Sequence, residues 1–89
     1  MIQHEKKIIN KLGLHARAAA KLLEVTKRFS SSIQIQHNEK SCDAKSILGL
    51  MTLAASCGAI VTIIAEGDDE TQAVAAISEL IDNYFDEEE

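Results

Sequence analysis

His15 is the side chain with the clearest potential for chemistry, because it directly precedes an alanine-rich segment that favours a helix and so occupies the helix N-cap. First-turn amides have no intrahelical partner, and the helix dipole adds about half a positive charge. Arg17 adds a full charge two positions later. Such a site suits an anion and disfavours a protonated ring, so we expect a neutral, nucleophilic His15. A phosphoryl group on it would be stabilised by the Arg17 side chain and by the backbone amides of Ala16, Arg17 and Ala18.

The other histidines and the cysteines lack such a setting. His4 falls on a predicted edge strand and His37 on a predicted hairpin end, so we expect structural or surface roles for both. Cys42 and Cys57 lie 15 positions apart, which matches neither a CxxC redox pair nor a zinc-ligand cluster. We therefore expect two small, buried free thiols.

Ser46 allows two interpretations. It precedes a short apolar segment, so its hydroxyl can cap a helix and contribute about 1 kcal/mol. A phosphate is also tolerated electrostatically at a helix N-terminus, which makes Ser46 a candidate for regulatory phosphorylation, with a serine kinase and a phosphatase as the partners. The sequence leaves both interpretations open.

Hydrophobic periodicity and turn residues predict the element order β-α-β-β-α-β-α. The predicted elements are strands at 2–9, 33–37, 41–44 and 59–65, and helices at 16–28, 47–53 and about 70–84. Asp69, followed three positions later by Gln72, predicts a capping box at the start of the last helix. This order predicts an α+β domain whose helices cover one face of an antiparallel or mixed sheet.

The length of 89 residues predicts a single domain, 1–89, with one core. A hydrophobic fraction of 46% and a charged fraction of 26% are typical of a soluble globular domain. No apolar run approaches the roughly 18 residues of a membrane span, so we expect no membrane insertion. The first residues lack an apolar signal core, so we expect a cytoplasmic location.

The net charge of −5 combines two unlike halves. Residues 1–45 hold nine basic and four acidic residues, whereas residues 46–89 hold ten acidic and no basic residues. An acidic chain is poorly suited to neutralising phosphates, so we expect no nucleic-acid partner. The basic half suits an acidic protein or a phosphate. The ending Asp-Glu-Glu-Glu predicts a flexible acidic tail at 86–89.

A docking patch for partner proteins is predicted beside His15. The short helix is too apolar to bury every side chain, so part of it should be exposed together with Leu14. Basic residues can edge this patch, and the combination suits transient binding to acidic partners. The predicted docking residues are Leu14, Lys21, Lys45, Ile47, Leu48 and Met51.

Two segments resemble signatures of the HPr-type histidine phosphocarrier proteins of the bacterial phosphotransferase system. Residues 11–21, Lys-Leu-Gly-Leu-His-Ala-Arg-Ala-Ala-Ala-Lys, resemble the active-site segment, and residues 45–51, Lys-Ser-Ile-Leu-Gly-Leu-Met, resemble the helix around the regulatory serine. The resemblance implies an open-faced β-sandwich, with a four-stranded antiparallel sheet and helices on one face. It also implies a relay in which enzyme I phosphorylates Nδ1 of His15, Arg17 assists, and a histidine of an enzyme IIA receives the phosphoryl group. No metal or organic cofactor is implied, and the chain would be a substrate of enzymes rather than an enzyme.

Ala18 departs from the family pattern, which has proline after the arginine. Proline would fix φ in the first turn and remove an N–H, whereas Ala18 offers an additional donor. With the acidic ending, this version of the motif is similar to the nitrogen-related (NPr) branch, which implies a nitrogen-branch enzyme I and enzyme IIA as partners. The alternative within the family is a sugar-branch HPr.

A different class of function also fits the element order. Small βαββαβ regulatory modules bind metabolites at strand or subunit edges, and in such a module His15 would serve only as a helix cap. Phosphorylation by phospho-enzyme I distinguishes the two hypotheses. Nothing in the sequence requires more than a monomer.

Overall fold

The computed structural model describes residues 1–87. Its elements are β1 (Ile2–Lys7), α1 (Ala16–Thr26), β2 (Ser32–His37), β3 (Lys40–Asp43), α2 (Ile47–Thr52), β4 (Ile60–Glu66) and α3 (Glu70–Asp82), followed by a 3-10 turn at Tyr84–Asp86. This order confirms the predicted sequence of elements. β1 and α1 both end two residues earlier than predicted, at Lys7 and Thr26.

The four strands form one antiparallel sheet in the order β1-β4-β2-β3. Ile33 lies opposite Ala65, and Ile35 lies opposite Ile63, so the apolar side chains of β2 and β4 share one face. Along both strands every second residue is buried, as expected for a sheet covered on one side. Among the described residues β1 pairs only with β4, and it lies at the edge of the sheet, which accounts for its weak alternation.

The helices cover the apolar face of the sheet. α3 packs on β1 and β4, α2 packs beside β3, and α1 packs against both other helices. Leu22, Leu50, Ile63, Ile77 and Phe85 are among the fully buried residues where these elements meet. The arrangement confirms the predicted α+β open-faced β-sandwich. Within residues 1–87, no helix is long and apolar enough to cross a membrane.

Asp69 does not form the predicted capping box, and that prediction is wrong. Its side chain makes no cap hydrogen bond to α3. The carboxylate instead accepts hydrogen bonds from the backbone amides of Ser30 and Ser31, at 2.9 and 3.0 Å, and from the Ser31 hydroxyl. The Ser31 hydroxyl bond is the largest of the contributions that lower the pKa of Asp69 from 3.8 to about 2. Asp69 therefore ties the loop after α1 to the start of α3.

Ion pairs join the basic first half of the chain to the acidic second half. They link the amino group of Met1 to Glu70 at 3.1 Å, Lys6 to Asp82 at 2.6 Å and Lys21 to Asp86 at 3.9 Å. All of these pairs are at the surface, where each contributes at most about 1 kcal/mol.

The end of the chain turns back onto the domain. Tyr84, Phe85 and Asp86 have φ values of 58, 53 and 62°. Left-handed backbone costs a non-glycine residue about 1–2 kcal/mol, so it persists only where surrounding contacts fix it. Phe85 provides such contacts because its side chain is buried in the core. Of the predicted flexible tail, Asp86 lies in this turn and Glu87 contacts His15, whereas residues 88 and 89 lie outside the described residues.

Candidate functional site

A tight turn fixes the position of His15. The Gly13 amide donates to the Asn10 carbonyl at 3.1 Å, and the Leu14 amide donates to the Ala55 carbonyl at 2.8 Å. Gly13 has a φ of +68°, and a Cβ on it would lie 2.6 Å from the Ala55 carbonyl oxygen. Glycine is therefore required here, both for its backbone conformation and for space. The turn holds the start of α1 against the loop that follows α2.

His15 is the N-cap of α1, as the sequence predicts. Its Nδ1 accepts a hydrogen bond from the Arg17 amide at 3.3 Å, and its side chain is 27% exposed. The helical pattern begins with the Ala19 amide, which donates to the His15 carbonyl at 2.8 Å. The amides of Ala16 and Ala18 make no hydrogen bond within the described part of the chain. Two first-turn donors are therefore available beside Nδ1.

Glu87 contacts the other nitrogen of the ring. Its Oε2 lies 2.6 Å from Nε2 of His15, and its Oε1 accepts a hydrogen bond from Nδ2 of Asn10 at 2.8 Å. The same Nδ2 also donates to the Gly13 carbonyl at 2.8 Å, and Asn10 is fully buried. Sequence analysis missed Asn10 and Glu87, since no motif or periodicity connects them to His15.

The Glu87 carboxyl is held in its ionised form. Burial raises its pKa, but hydrogen bonds from Asn10 and His15, together with the nearby positive charge of Arg17, bring it below the ordinary value of 4.5. The side chain is only 12% exposed. An enclosed carboxylate therefore lies directly against the imidazole.

A cleft of about 520 Å³ opens beside the ring. Its lining includes three basic and two acidic side chains, and Arg17 is exposed there. The lining residues are Lys11, Leu12, Arg17, Lys21, Phe85, Asp86 and Glu87. Within residues 1–87, no group of three or more His, Cys, Asp or Glu side chains could hold a metal ion.

The chain matches the family model PTS-HPr, described as the phosphorylation site of the HPr component of the phosphotransferase system, over residues 2–83. The chain belongs to the HPr family of phosphocarrier proteins. It is 48% identical to the phosphocarrier protein HPr of Cupriavidus necator over the whole of both chains. It is 42% identical to the phosphocarrier protein NPr of Shewanella violacea, over 97% of this chain and 94% of that one.

Similarity to a solved structure supports the same assignment. HPr-C-His from Thermoanaerobacter tengcongensis matches with a TM-score of 0.96 at 44% identity, and the match covers 100% of both chains. The protein is accordingly a phosphocarrier of the phosphotransferase system and not a catalytic enzyme.

The docking patch predicted for this phosphocarrier needs one correction. Leu14 is 5% exposed and belongs to the core, so the prediction that it is exposed is wrong. The turn before α1 directs Leu14 inward and leaves Leu12 67% exposed, a residue that sequence analysis missed. The exposed apolar residues of α2 are Ile47, Leu48 and Met51, in agreement with the sequence.

The residues around α2 have structural roles that the sequence showed only in part. Ser46 caps α2, since its Oγ accepts a hydrogen bond from the Gly49 amide at 3.1 Å. The capping interpretation of Ser46 is confirmed, and its phosphorylation stays a prediction. Nζ of Lys45 donates to the Phe29 carbonyl at 2.7 Å, which ties this segment to the end of α1. Lys21, by contrast, lines the cleft beside His15.

The remaining chemical side chains lie outside the site. His4 is exposed on β1, and Nδ1 of His37 lies 3.3 Å from the Ile60 carbonyl. Cys42 and Cys57 are free thiols, as predicted. Cys42 is half-buried, but Cys57 is exposed in the turn before β4, so the prediction of two buried thiols is wrong for Cys57.

A larger surface depression, of about 710 Å³, shares no residue with the His15 site. It lies between the β2–β3 turn and the end of α2, and is lined by His37, Asn38, Glu39, Lys40, Leu53 and Ala54. The groups suited to phosphoryl transfer therefore lie around His15, and not in the larger depression.

Proposed function

We propose that His15 accepts a phosphoryl group on Nδ1 from phosphorylated enzyme I and passes it to a histidine of an enzyme IIA. The observation that carries this proposal is the position of Nδ1, which faces the start of α1 beside the available amides of Ala16 and Ala18. Nδ1 holds one hydrogen bond, and at 3.3 Å that bond is weak and readily exchanged.

The start of α1 compensates the charge of a phosphoryl group. Such a group carries close to two negative charges, and its oxygens would replace the ring nitrogen as acceptors for the first-turn amides. The dipole of the 11-residue α1 and the guanidinium of Arg17 add positive potential at the same place. His15 stays partly exposed, so a partner protein can reach the phosphoryl group.

The docking surface in this proposal combines the exposed apolar residues of α2 with Leu12. α2 packs against α1, the helix that carries Arg17 and Lys21 of the cleft. Exposed apolar side chains with a basic edge suit brief contacts with acidic partners. The surface consists of Leu12, Ile47, Leu48 and Met51, with Lys11, Arg17 and Lys21 at its edge.

We propose the nitrogen-related branch as the setting of this relay. Ala18 supports it, because its amide is available where the proline of the other pattern has none. Rates of phosphorylation by purified enzyme I of each branch test this point. We expect a higher kcat/KM with the nitrogen-branch enzyme I; a higher value with the sugar-branch enzyme would assign the carrier to sugar uptake.

Two further elements belong to the same proposal. The carrier acts as a monomer in the cytoplasm, and sedimentation velocity tests its oligomeric state. A serine kinase acts on Ser46, where phosphate would add about two negative charges beside the docking surface and repel acidic partners. Mass spectrometry of protein purified from its host would locate phosphate on histidine, serine or both.

The decisive experiment incubates the protein with phosphoenolpyruvate and enzyme I. We expect acid-labile, base-stable phosphate on the wild-type protein and none on His15→Ala. His37→Ala is the matched control, because it removes a histidine outside the site, and it should be phosphorylated like the wild type. Phosphate on His15→Ala, or none on the wild type with an enzyme I of either branch, would refute the assignment and favour the ligand-binding alternative.

A further inference from the structure

The two nitrogens of the His15 ring face opposite kinds of hydrogen-bond partner. Nδ1 faces a donor, the Arg17 amide, whereas Nε2 faces an acceptor, the Glu87 carboxylate. A neutral imidazole carries one proton, and these partners place it on Nε2. We propose that Glu87 is a positioning residue for phosphoryl transfer: its carboxylate holds His15 as the Nε2–H tautomer and keeps the Nδ1 lone pair free to attack phosphorus. The inference rests on the proposed function of His15.

The contact is built into the fold. The two carboxylate oxygens of Glu87 accept from two different donors, Nε2–H of His15 and Nδ2–H of Asn10. Asn10 in turn is fully buried and bound to the Gly13 carbonyl, so one amide group links the turn, the carboxylate and the ring. The carboxylate is therefore held on both sides, which fixes the orientation of the imidazole plane.

The backbone before Glu87 supports the same interpretation. Three consecutive residues, 84–86, take up left-handed conformations that non-glycine residues avoid. The buried Phe85 side chain anchors this turn, and the residue that follows the turn, Glu87, contacts His15. A strained segment next to a reactive group points to a functional constraint on its geometry.

The chemistry of the transfer explains why the carboxylate matters. In the accepting step the Nδ1 lone pair forms a bond to phosphorus, the nitrogen–phosphorus bond of the phosphohistidine donor breaks, and its electron pair returns to the donor ring. The proton of His15 remains on Nε2, so the ring gains a positive charge beside Glu87. In the donating step the Nδ1–phosphorus bond breaks, its electron pair returns to Nδ1, and the ring is neutral again. No proton has to move in either step.

Glu87 does not occupy the phosphoryl position. The two ring nitrogens lie on different edges of the imidazole, and the carboxylate contacts Nε2 while the first-turn amides lie beside Nδ1. Glu87 can therefore stay bound through a full cycle of acceptance and donation. A carboxylate that merely blocked the site would have to leave before phosphorylation.

Glu87→Gln is the sharpest test, with Glu39→Gln as its matched control. Both changes replace a glutamate by a glutamine of the same shape, but Glu39 lines the separate depression beside the β2–β3 turn, which shares no residue with the His15 site. Glutamine has an amide oxygen in place of one carboxylate oxygen and a donating NH2 group in place of the other. In the position of Glu87 it would therefore set a donor against either Asn10 or Nε2. Correlation NMR of ¹⁵N-histidine-labelled protein at about pH 8.5, above ordinary histidine titration, reports which nitrogen carries the proton.

We expect Nε2–H in the wild type and in Glu39→Gln, and a measurable population of Nδ1–H in Glu87→Gln. Single-turnover phosphorylation by phospho-enzyme I should slow about tenfold in Glu87→Gln, the scale on which partners that orient an imidazole act, and stay unchanged in Glu39→Gln. An unchanged tautomer in Glu87→Gln, or phosphorylation as fast as or faster than the wild type, would overturn the proposal. If neither wild type nor variant is phosphorylated, the function of His15 fails, while the tautomer measurement still decides the role of Glu87.

Discussion

α1 and α2 are both capped by a side chain, but the two capping side chains differ in what they can do. Each helix starts at a side chain that accepts a hydrogen bond from a first-turn amide: Nδ1 of His15 from Arg17 at 3.3 Å, and Oγ of Ser46 from Gly49 at 3.1 Å. The hydroxyl has a single heavy atom and is engaged as a cap. The imidazole has a second nitrogen, which Glu87 binds. A cap becomes suited to chemistry when a second contact fixes the same side chain and the capping bond itself is weak.

The largest effect should come from the turn that precedes α1. Gly13→Ala should lower the free energy of unfolding by about 3 kcal/mol, because it combines a left-handed backbone with a collision against Ala55. Gly49→Ala within α2 is the matched change. Its Cβ would meet Cys42 at 3.0 Å, but the gain in helix propensity offsets this crowding, so we expect a net change within about 1 kcal/mol.

Urea unfolding of the two variants measures this difference directly. Equal losses of stability in Gly13→Ala and Gly49→Ala would show that the turn before α1 is no more constrained than the interior of α2.

The next effect concerns the positive charge at each helix. Arg17→Ala should slow phosphoryl transfer from enzyme I about tenfold, because an exposed guanidinium next to the phosphoryl site stabilises developing charge. Lys45→Ala removes a positive charge beside α2, where the amine is bound to the Phe29 carbonyl, and should slow the transfer much less, since it can act only through docking. Rapid-quench kinetics with both variants compares the two positions, and equal rates would argue against a role for Arg17.

A smaller effect distinguishes the two caps. Ser46→Ala should lower the free energy of unfolding by about 1 kcal/mol, since it removes a good capping hydroxyl. His15→Ala removes a longer capping bond but also the Nε2 partner of the enclosed Glu87 carboxylate, so we expect a loss at least as large, and that variant alone should lose phosphorylation. Thermal or urea unfolding ranks the two variants, and a smaller loss for His15→Ala would show that the contact with Glu87 adds nothing to stability.

The smallest expected effect concerns the contribution of Asp69, at the start of α3, to stability, and it is confined to acidic pH. The folded-state pKa of Asp69, about 2, lies below the ordinary value of 3.8, so its stabilisation is fully present above about pH 4 and is lost as pH falls through about 2. Because the group is near the surface, solvent screening keeps the contribution small. Between about pH 5 and 2, the free energy of unfolding should fall less steeply with decreasing pH in Asp69→Asn than in the wild type. Parallel pH profiles for the two proteins would contradict the assignment.

The parts of this molecule that the sequence could predict are those encoded locally. Alternation at Ile33 and Ile35 predicted a half-buried strand, and the position of His15 and Ser46 before apolar segments predicted two caps. These patterns depend on residues within one turn or strand of each other, so tertiary contacts reinforce rather than replace them.

The incorrect or missed predictions concern contacts between residues that are far apart in the sequence. Asp69 stands at a helix start like a capping residue, yet the amides of the loop after α1, 38 and 39 positions away, take its carboxylate. Glu87 contacts His15 from 72 positions away in the sequence. The left-handed turn that places it there contains no glycine that would predict positive φ values. Leu14 lies in a loop without periodicity, and it turns inward where its amide binds the Ala55 carbonyl and its side chain joins the core.

The ion pairs that cross the fold have a consequence for its assembly. Met1, Lys6 and Lys21 find their carboxylate partners in the region of α3 and the chain end, so opposite charges attract segments that are far apart along the polypeptide. If a protease cut the chain between β3 and α2, the two fragments would carry net charges of opposite sign. Their encounter would be accelerated in dilute buffer and slowed by added salt.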